Sequence, residues 1–508
     1  MKKFLRGFIR IVIALVVLVL AFYGEENWRG KHAWEKYRHD REAKGDSFEW
    51  SAIVQPPIPD AENFAATPLF AELFPKPPEH PRLEDTKLPD CADGFTGNWR
   101  MGRVENLAAW QKCFSNDNLL AALAKYDPIL NEITEASHRP KCRFPLSLYN
   151  DPVNDRLPHL GLFRPLVRVY RLRALAELVN GQNEAALADV QTSLRLAKVS
   201  ECGLISFLVQ IAVIDATLQP VWEGLAAHRW TDAQLAALQA DFEQMDQFAA
   251  FSKAIQGARL YAYFLGCSLN EKPAKLAVLL ANMRPPDSGD SGDSKLVTAV
   301  NIISRIAPKG WWYQNMLTVD RFFTAVYLPA VDWEQRRISP VSIKNITEPD
   351  DKRTTPYNFL YMLVVYGNTG AAKRAAKSQT ALDQAAVACA LERYRLAKGE
   401  LPERLDALVP AFIAKVPHDV IDGQPLRYRR IAPDQFVLYS IGWNATDDGG
   451  QLVMAEGSQP PRPDLDKGDW VWSSAKQEVV VKEPAANDQP TITRSVYRRS
   501  NTHSPAQK

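Results

Sequence analysis

Residues 371–402 read AAKRAAKSQTALDQAAVACALERYRLAKGELP, and this stretch decides the architecture of the C-terminal third. Alanine, leucine, lysine, arginine and glutamine are the strongest helix formers, and they fill it almost completely. Val387, Ala390, Leu391 and Tyr394 recur three and four apart and form a common apolar stripe. Gly399 suits the left-handed position that ends a helix, and Pro402 blocks continuation. The spacing therefore predicts one long helix. Beyond it the period changes: Gln435-Phe436-Val437-Leu438-Tyr439-Ser440 and Trp470-Val471-Trp472 read as strands, and Gln477–Val481 is a further strand candidate.

Between the helix and the first strand runs ERLDALVPAFIAKVPHDVIDGQPLRYRR (residues 403–430), and after the strand comes the turn IGWNATDDGG (residues 441–450). The order of a helix ending in L-x-x-Y, then G-x-L-P, L-x-A-L-V, V-P-x-D-x-x-D-G-x-P-L-x-Y and a Gly/Asp-rich loop resembles the soluble headpiece of type II secretion major pseudopilins, over residues 371–455. The resemblance implies a small α+β module of one long helix plus antiparallel strands. It also implies a calcium loop, whose matching positions are Asn444, Asp447 and Asp448. Hard oxygen donors of this kind suit calcium. The same Asx and Gly residues favour a metal-free turn on their own account, so both readings stand. Asp419 and Asp422 read as turn formers, and Tyr394 and Tyr428 as core. The chain departs from the family upstream, because no prepilin leader leads directly into the long helix.

Residues 158–340 are predicted to form an α-helical domain. A helix from about Leu160 ends at Asn180-Gly181, and Asn183 is placed to cap the next, in which Leu187, Val190, Leu194 and Ala197 share a face. Residues 160–200 resemble a single tetratricopeptide-like helical hairpin. Thr231-Asp232-Ala233-Gln234 has the form of a capping box. Helices resume over Leu296–Tyr327, including Trp311-Trp312-Tyr313, and residues 341–370 read as a linker. Asp287, Asp290 and Asp293 lie in a Ser/Gly-rich loop without calcium-loop spacing. Residues 25–157 form an irregular region of proline-rich chain and short helices, and the tail 457–508 is expected to be largely disordered after 482.

The N-terminus, MKKFLRGFIRIVIALVVLVLAFYG (residues 1–24), carries Lys2, Lys3, Arg6 and Arg10 ahead of an uninterrupted apolar run from Ile11 to Tyr23. Leu5–Tyr23 reaches membrane-crossing length if Arg6 and Arg10 snorkel to the headgroups. Basic charge before the span, with Glu25 and Glu26 after it, predicts a cytoplasmic N-terminus and an exported body. The expectation is an uncleaved, single-pass anchor in a bacterial inner membrane with the bulk in the periplasm. A cleaved signal peptide is the competing reading, since Val19-Leu20-Ala21 offers a small-residue site.

At 508 residues the chain exceeds one ordinary core, and its 46% apolar content is that of globular protein. A net charge of +2 with scattered basic residues argues against a nucleic-acid partner. The six cysteines form no C-x-x-C or zinc-like spacing, and Cys91, Cys113 and Cys142 lie in one loop-rich region where disulfide and buried thiol are equal readings. No H-E-x-x-H, G-x-S-x-G, P-loop or strand-to-helix G-x-G-x-x-G occurs, and the eight histidines are dispersed singly. The function expected is therefore non-catalytic: a membrane-anchored periplasmic protein that contacts other envelope proteins, near a secretion or pilus-like apparatus. A binding module for an envelope polymer or small ligand, using aromatic residues near Trp311, is the alternative, and an unrecognised enzyme the third reading.

Overall fold

The computed structural model describes residues 2–52, 54, 56–73, 116–145, 153, 157–199, 203–282, 302, 304–347, 354–364, 370–456 and 462–474. Expectations about Cys91, Cys113, Cys202, the aspartates of 284–295, the strand at 477–481 and the tail after 482 fall outside those residues. What is described is mainly helical, with small antiparallel sheets and an N-terminal apolar helix.

Helix α1 (Lys2–Glu42) runs without a break from the apolar segment into the body. Its side chains from Phe4 to Phe22 are exposed, and its first buried residue is Glu26. Exposed leucine, isoleucine and valine on every face suit lipid, and the helix is long and apolar enough to span a membrane. Short helical turns at Asp60–Glu62, Phe64–Ala66 and Pro68–Ala71 follow, within the region read from sequence as irregular proline-rich chain and short helices. Proline at the first position of a helix costs no hydrogen bond, so Pro68 opens the last of these turns rather than preventing it.

Helices α2 (Asn116–Leu123), α3 (Asp127–Ala136), α4 (Pro158–Val179) and α5 (Asn183–Lys198) lead into α6 (Leu204–Ala226), which packs on both arms of the α4–α5 hairpin. Asn183 is not the cap of α5. Gln182 holds that position without a side-chain bond, and the Asn183 amide donates instead to the Arg229 carbonyl at 2.6 Å. Helix α6 also has transmembrane length and hydropathy, but two thirds of its most apolar window is buried by protein, as in a core helix.

The capping box of α7 (Asp232–Glu243) forms as predicted, with Thr231 and Gln234 exchanging side-chain to backbone bonds at 3.0 and 3.3 Å. Then come α8 (Gln247–Glu271), α9 (Lys275–Asn282) and α10 (Lys309–Arg321), the last continuing as a π-helical turn over Phe322–Tyr327. The stretch read as linker contains α11 (Pro340–Thr347) and α12 (Phe359–Val364). The fully buried Asn315 fixes α12, accepting from Leu360 N at 2.9 Å and donating to the Pro356 carbonyl at 2.6 Å.

Helix α13 (Ala371–Lys398) is the predicted alanine-rich helix, and Gly399 ends it with φ +85°. It is buried on far more than the predicted stripe: nearly every side chain from Ser378 to Glu392 is enclosed. Strands β1 (Val331–Asp332) and β2 (Arg337–Ile338) pair ahead of it, and β5 (Leu452–Met454) pairs with β6 (Pro463–Gly468) after it. One side of α13 meets α6, α7 and α8, and another meets the sheet formed by β3 (Arg427–Ala432), β4 (Gln435–Ser440) and β7 (Trp470–Ser473). These strands are antiparallel in the order β3-β4-β7, with Leu438 opposite both Tyr428 and Trp472. Small alanines let three helices and a sheet approach one axis, while Leu382, Val387 and Leu391 supply the larger apolar burial, roughly 1.5–3 kcal/mol each. Two polar side chains tie this contact across to strand backbone. Gln384 donates to the Trp470 carbonyl at 2.7 Å, and Trp222 of α6 donates to the Ser473 carbonyl at 3.0 Å. Helices α4–α7, the middle of α13 and the sheet thus share one core, and most of α8, part of α10 and the start of α13 pack in a second.

Candidate functional site

Where α1 leaves its apolar segment it lies along α10, and every fourth residue is buried: Glu26, Gly30 and Trp34. Gly30 and Gly310 allow the two backbones to touch, since a Cβ at either would collide with main-chain atoms of the other helix. Glu26 is 4% exposed. Its carboxylate pairs with Arg29, accepts from Trp311 Nε1 at 2.9 Å, and accepts from the Tyr357 hydroxyl at 3.1 Å. Asn27 accepts from Gly310 N at 2.9 Å. The Arg29 guanidinium, held by Glu26 and Tyr357, is raised above its already high range.

Farther along α1 a second polar network joins three helices. The Arg259 guanidinium of α8 binds both oxygens of Asp320 on α10, at 2.9 and 3.2 Å, and reaches Asp46 at 2.9 Å. Arg41 closes on Asp46 at 2.7 Å. Burial alone would raise the Asp46 carboxyl, but the hydrogen bonds and charges of Arg259 and Arg41 together outweigh it and hold Asp46 below its ordinary range. Tyr37 donates to Asp320 at 2.8 Å and sits 2.9 Å from the Thr324 hydroxyl. Burial pushes the Tyr37 phenol up to about 12, with the Asp320 charge adding to the effect.

This network borders an open cleft of about 590 Å³. One wall is α1 and the turn after it, with Tyr37, Asp40, Arg41 and Lys44; the other is α10 and its π turn, with Thr318, Arg321, Phe322 and Thr324; Asn358 and Tyr361 close the end. The π turn widens the helix where it meets the cleft, a distortion often found at functional sites. Lys44 and Arg321 are exposed, and the Arg321 guanidinium lies over the Tyr37 ring at 5.4 Å. With Arg41 engaged by Asp46, the cleft offers these two cations, one carboxylate at Asp40, hydroxyls and three aromatic rings. Such a lining can hold an anionic group beside an apolar or planar one. Among the described residues its lining has no histidine, cysteine or serine.

The calcium positions stand elsewhere, at the far edge of the sheet. The Asn444 amide donates to Asp448 at 2.8 Å, Asp447 accepts from Gly449 N at 3.0 Å, and Asp447 lies 3.5 Å from the Arg427 guanidinium. Buried Asp469 organises the loop, accepting from Gly450 N at 2.6 Å and Asp448 N at 3.3 Å. Burial pushes the Asp469 carboxyl up to about 6, and those two amides oppose it. The oxygens of Asn444, Asp447 and Asp448 serve turn bonds and a guanidinium. Among the described residues no three His, Cys, Asp or Glu side chains gather as a metal site.

Asp419, read as a turn former, is a buried hub: it accepts from Ile421 N, Ile441 N and the Ser440 hydroxyl at 2.9–3.0 Å and pairs with Arg427 at 3.0 Å. Trp311 and Trp312 are not in the lining of the α1–α10 cleft. Trp311 belongs to the Glu26 clasp, and Trp312 is buried against Phe359 with rings 5.3 Å apart. Cys267 and Cys389 are free thiols, with Cys389 enclosed by α13's neighbours. The cleft residues carried no motif in sequence. The one available signal was a strongly polar helix continuing directly from an apolar span. No family model, no curated protein and no solved structure matches this chain.

Proposed function

We propose that the protein is a non-catalytic, single-pass membrane protein whose body stands on the periplasmic side of a bacterial inner membrane and binds an envelope partner in the cleft between α1 and α10. The observation that carries this reading is the continuity of α1, which forms the apolar span, the stalk and one wall of the cleft. Orientation rests on Lys2, Lys3, Arg6 and Arg10 before the span and Glu25 and Glu26 after it. A protein partner presenting a carboxylate or phosphate suits Lys44 and Arg321. The link to a secretion or pilus-like apparatus rests on the resemblance of residues 371–455 to pseudopilins, and the order of α13 followed by β3 and β4 supports it in outline. The turn at Asn444, Asp447 and Asp448 is assigned no metal in this proposal.

The test is affinity purification of the full-length chain from native membranes, with Lys44→Glu/Arg321→Glu as the comparison. Partners lost from the double variant, with its melting temperature unchanged, would establish the cleft as the binding site. An identical partner set would remove it. Secretion-apparatus proteins among the partners would support the link to that machinery, and their absence would count against it. A second reading, an acidic envelope polymer in the same cleft, is favoured by the openness of the groove and predicts binding of the purified protein to isolated anionic glycans, lost in the same variant.

A further inference from the structure

We infer that the body touches the bilayer a second time, through a membrane-facing edge built on Ile302 and Ile306, so that the protein rests on the membrane as well as spanning it. The inference rests on the reading of α1 as a transmembrane helix. The apolar run of α1 ends at Tyr23, and the Tyr23 hydroxyl bonds to the backbone carbonyl of Ile306. That bond sets Ile306 at the height where the span meets the headgroups, the level at which tyrosine and tryptophan concentrate. Ile302 and Ile306 lie four residues apart and are 58% and 60% exposed, in a body that otherwise buries most of its large aliphatic side chains. A single exposed isoleucine needs no explanation, but two on one turn beside the end of a span do.

The surroundings agree with a lipid occupant. Arg305 and Lys309 are exposed on either side of Ile306, where cations meet lipid phosphates. Trp28 is 69% exposed and stands five residues beyond Tyr23, roughly 7.5 Å along the helix axis, within the headgroup layer. The neighbouring helix also descends toward this end. Arg259 of α8 meets Asp320, and Gly266 packs against Met316, so α8 runs antiparallel to α10 and ends near the Lys309 side of the body. Helix α9 (KLAVLLAN) follows at once, with Val278 43% exposed. The underside of the body therefore combines apolar side chains, flanking cations and an interfacial tryptophan, a composition that suits one leaflet surface.

The experiment places a photo-crosslinking phenylalanine analogue singly at Ile13, Ile302, Ile306 or Ile431 of the full-length chain. Each version is reconstituted in nanodiscs of phosphatidylcholine and phosphatidylglycerol, irradiated, and weighed intact. Ile431, half-exposed on β3, is the control for a surface remote from the span. Lipid adducts at 13, 302 and 306 but not at 431 are expected. Adducts at 13 without adducts at 302 and 306 overturn the second contact while leaving the span intact, as does a crosslink from 306 to a second protein chain. Equal adducts at 431 overturn it too, because the edge would then be no more lipid-exposed than the rest of the body. The absence of an adduct at 13 overturns the transmembrane reading of α1 and this inference with it.

Discussion

The two long helices of this protein are held by opposite means. Helix α13 is gripped by apolar packing on nearly all sides, with alanines setting the spacing and a few glutamines tying off strand and helix ends. The outward half of α1 is gripped along one edge, by a glycine contact and two polar networks centred on Glu26 and Arg259. A core helix gains stability in proportion to area and tolerates small displacements. A stalk fastened by buried ion pairs gains less net energy but has one permitted register, because each charge is costly without its partner.

The largest expected effect breaks the stalk network. Arg259→Ala leaves Asp320 and Asp46 without their shared cation and is expected to cost about 3–5 kcal/mol. Thermal unfolding of the full-length chain in detergent measures it. A loss below about 1 kcal/mol would show that the network contributes little to holding the stalk.

Next come two overpacking changes, each expected to cost about 1–3 kcal/mol. Gly310→Val should part α1 from α10 and expose the stalk near Arg29 to protease while the body stays folded. Ala385→Leu, buried in α13, should instead lower the melting temperature of the whole body and leave the stalk cleavage pattern unchanged. Identical proteolysis of the two variants would erase the distinction between the two helices.

A smaller effect sharpens the comparison within α13. Burial pushes the Asp383 carboxyl up to about 7, above its ordinary 3.8, with the Gln379 amide opposing from 3.0 Å. An acid whose folded value is raised carries no penalty below its unfolded value and an increasing one as pH climbs toward the folded value. Asp383→Asn should therefore stabilise by about 1–2 kcal/mol at pH 8, a gain that fades between pH 7 and 4. A gain that grew on acidification would contradict this account. The smallest effect concerns the loop at Asn444, Asp447 and Asp448: adding calcium or a chelator should leave the melting temperature unchanged, whereas Asp469→Ala should lower it by removing two backbone partners.

What was legible in the sequence follows from how local each signal is. The apolar span, the capping box at Thr231 and Gln234, the glycine stop at Gly399 and the strand at Trp470-Val471-Trp472 are written in adjacent residues. The all-round burial of α13 was not, because alanine is equally at home in a core and on a surface. Helices α11 and α12 were hidden by flanking prolines, one of which, Pro340, opens a helix instead of preventing it. The cleft was invisible for a different reason. Tyr37, Arg321 and Tyr361 come from three separated segments, and the bonds that bring them together, such as Arg259 to Asp46, span over two hundred residues.

The unbroken course of α1 makes it a phase-locked shaft. Each residue of an α-helix turns the chain by about 100° and lifts it by about 1.5 Å. One alanine inserted after Phe22 would rotate the membrane segment against the body by that angle, and a segment apolar on every face would hardly notice. The same insertion after Gly30 would leave Glu26 in its clasp but swing Tyr37 and Arg41 out of theirs. On the transmembrane reading of α1, the height and facing of the cleft above the bilayer are set by counting residues along one helix, with no hinge to absorb an error.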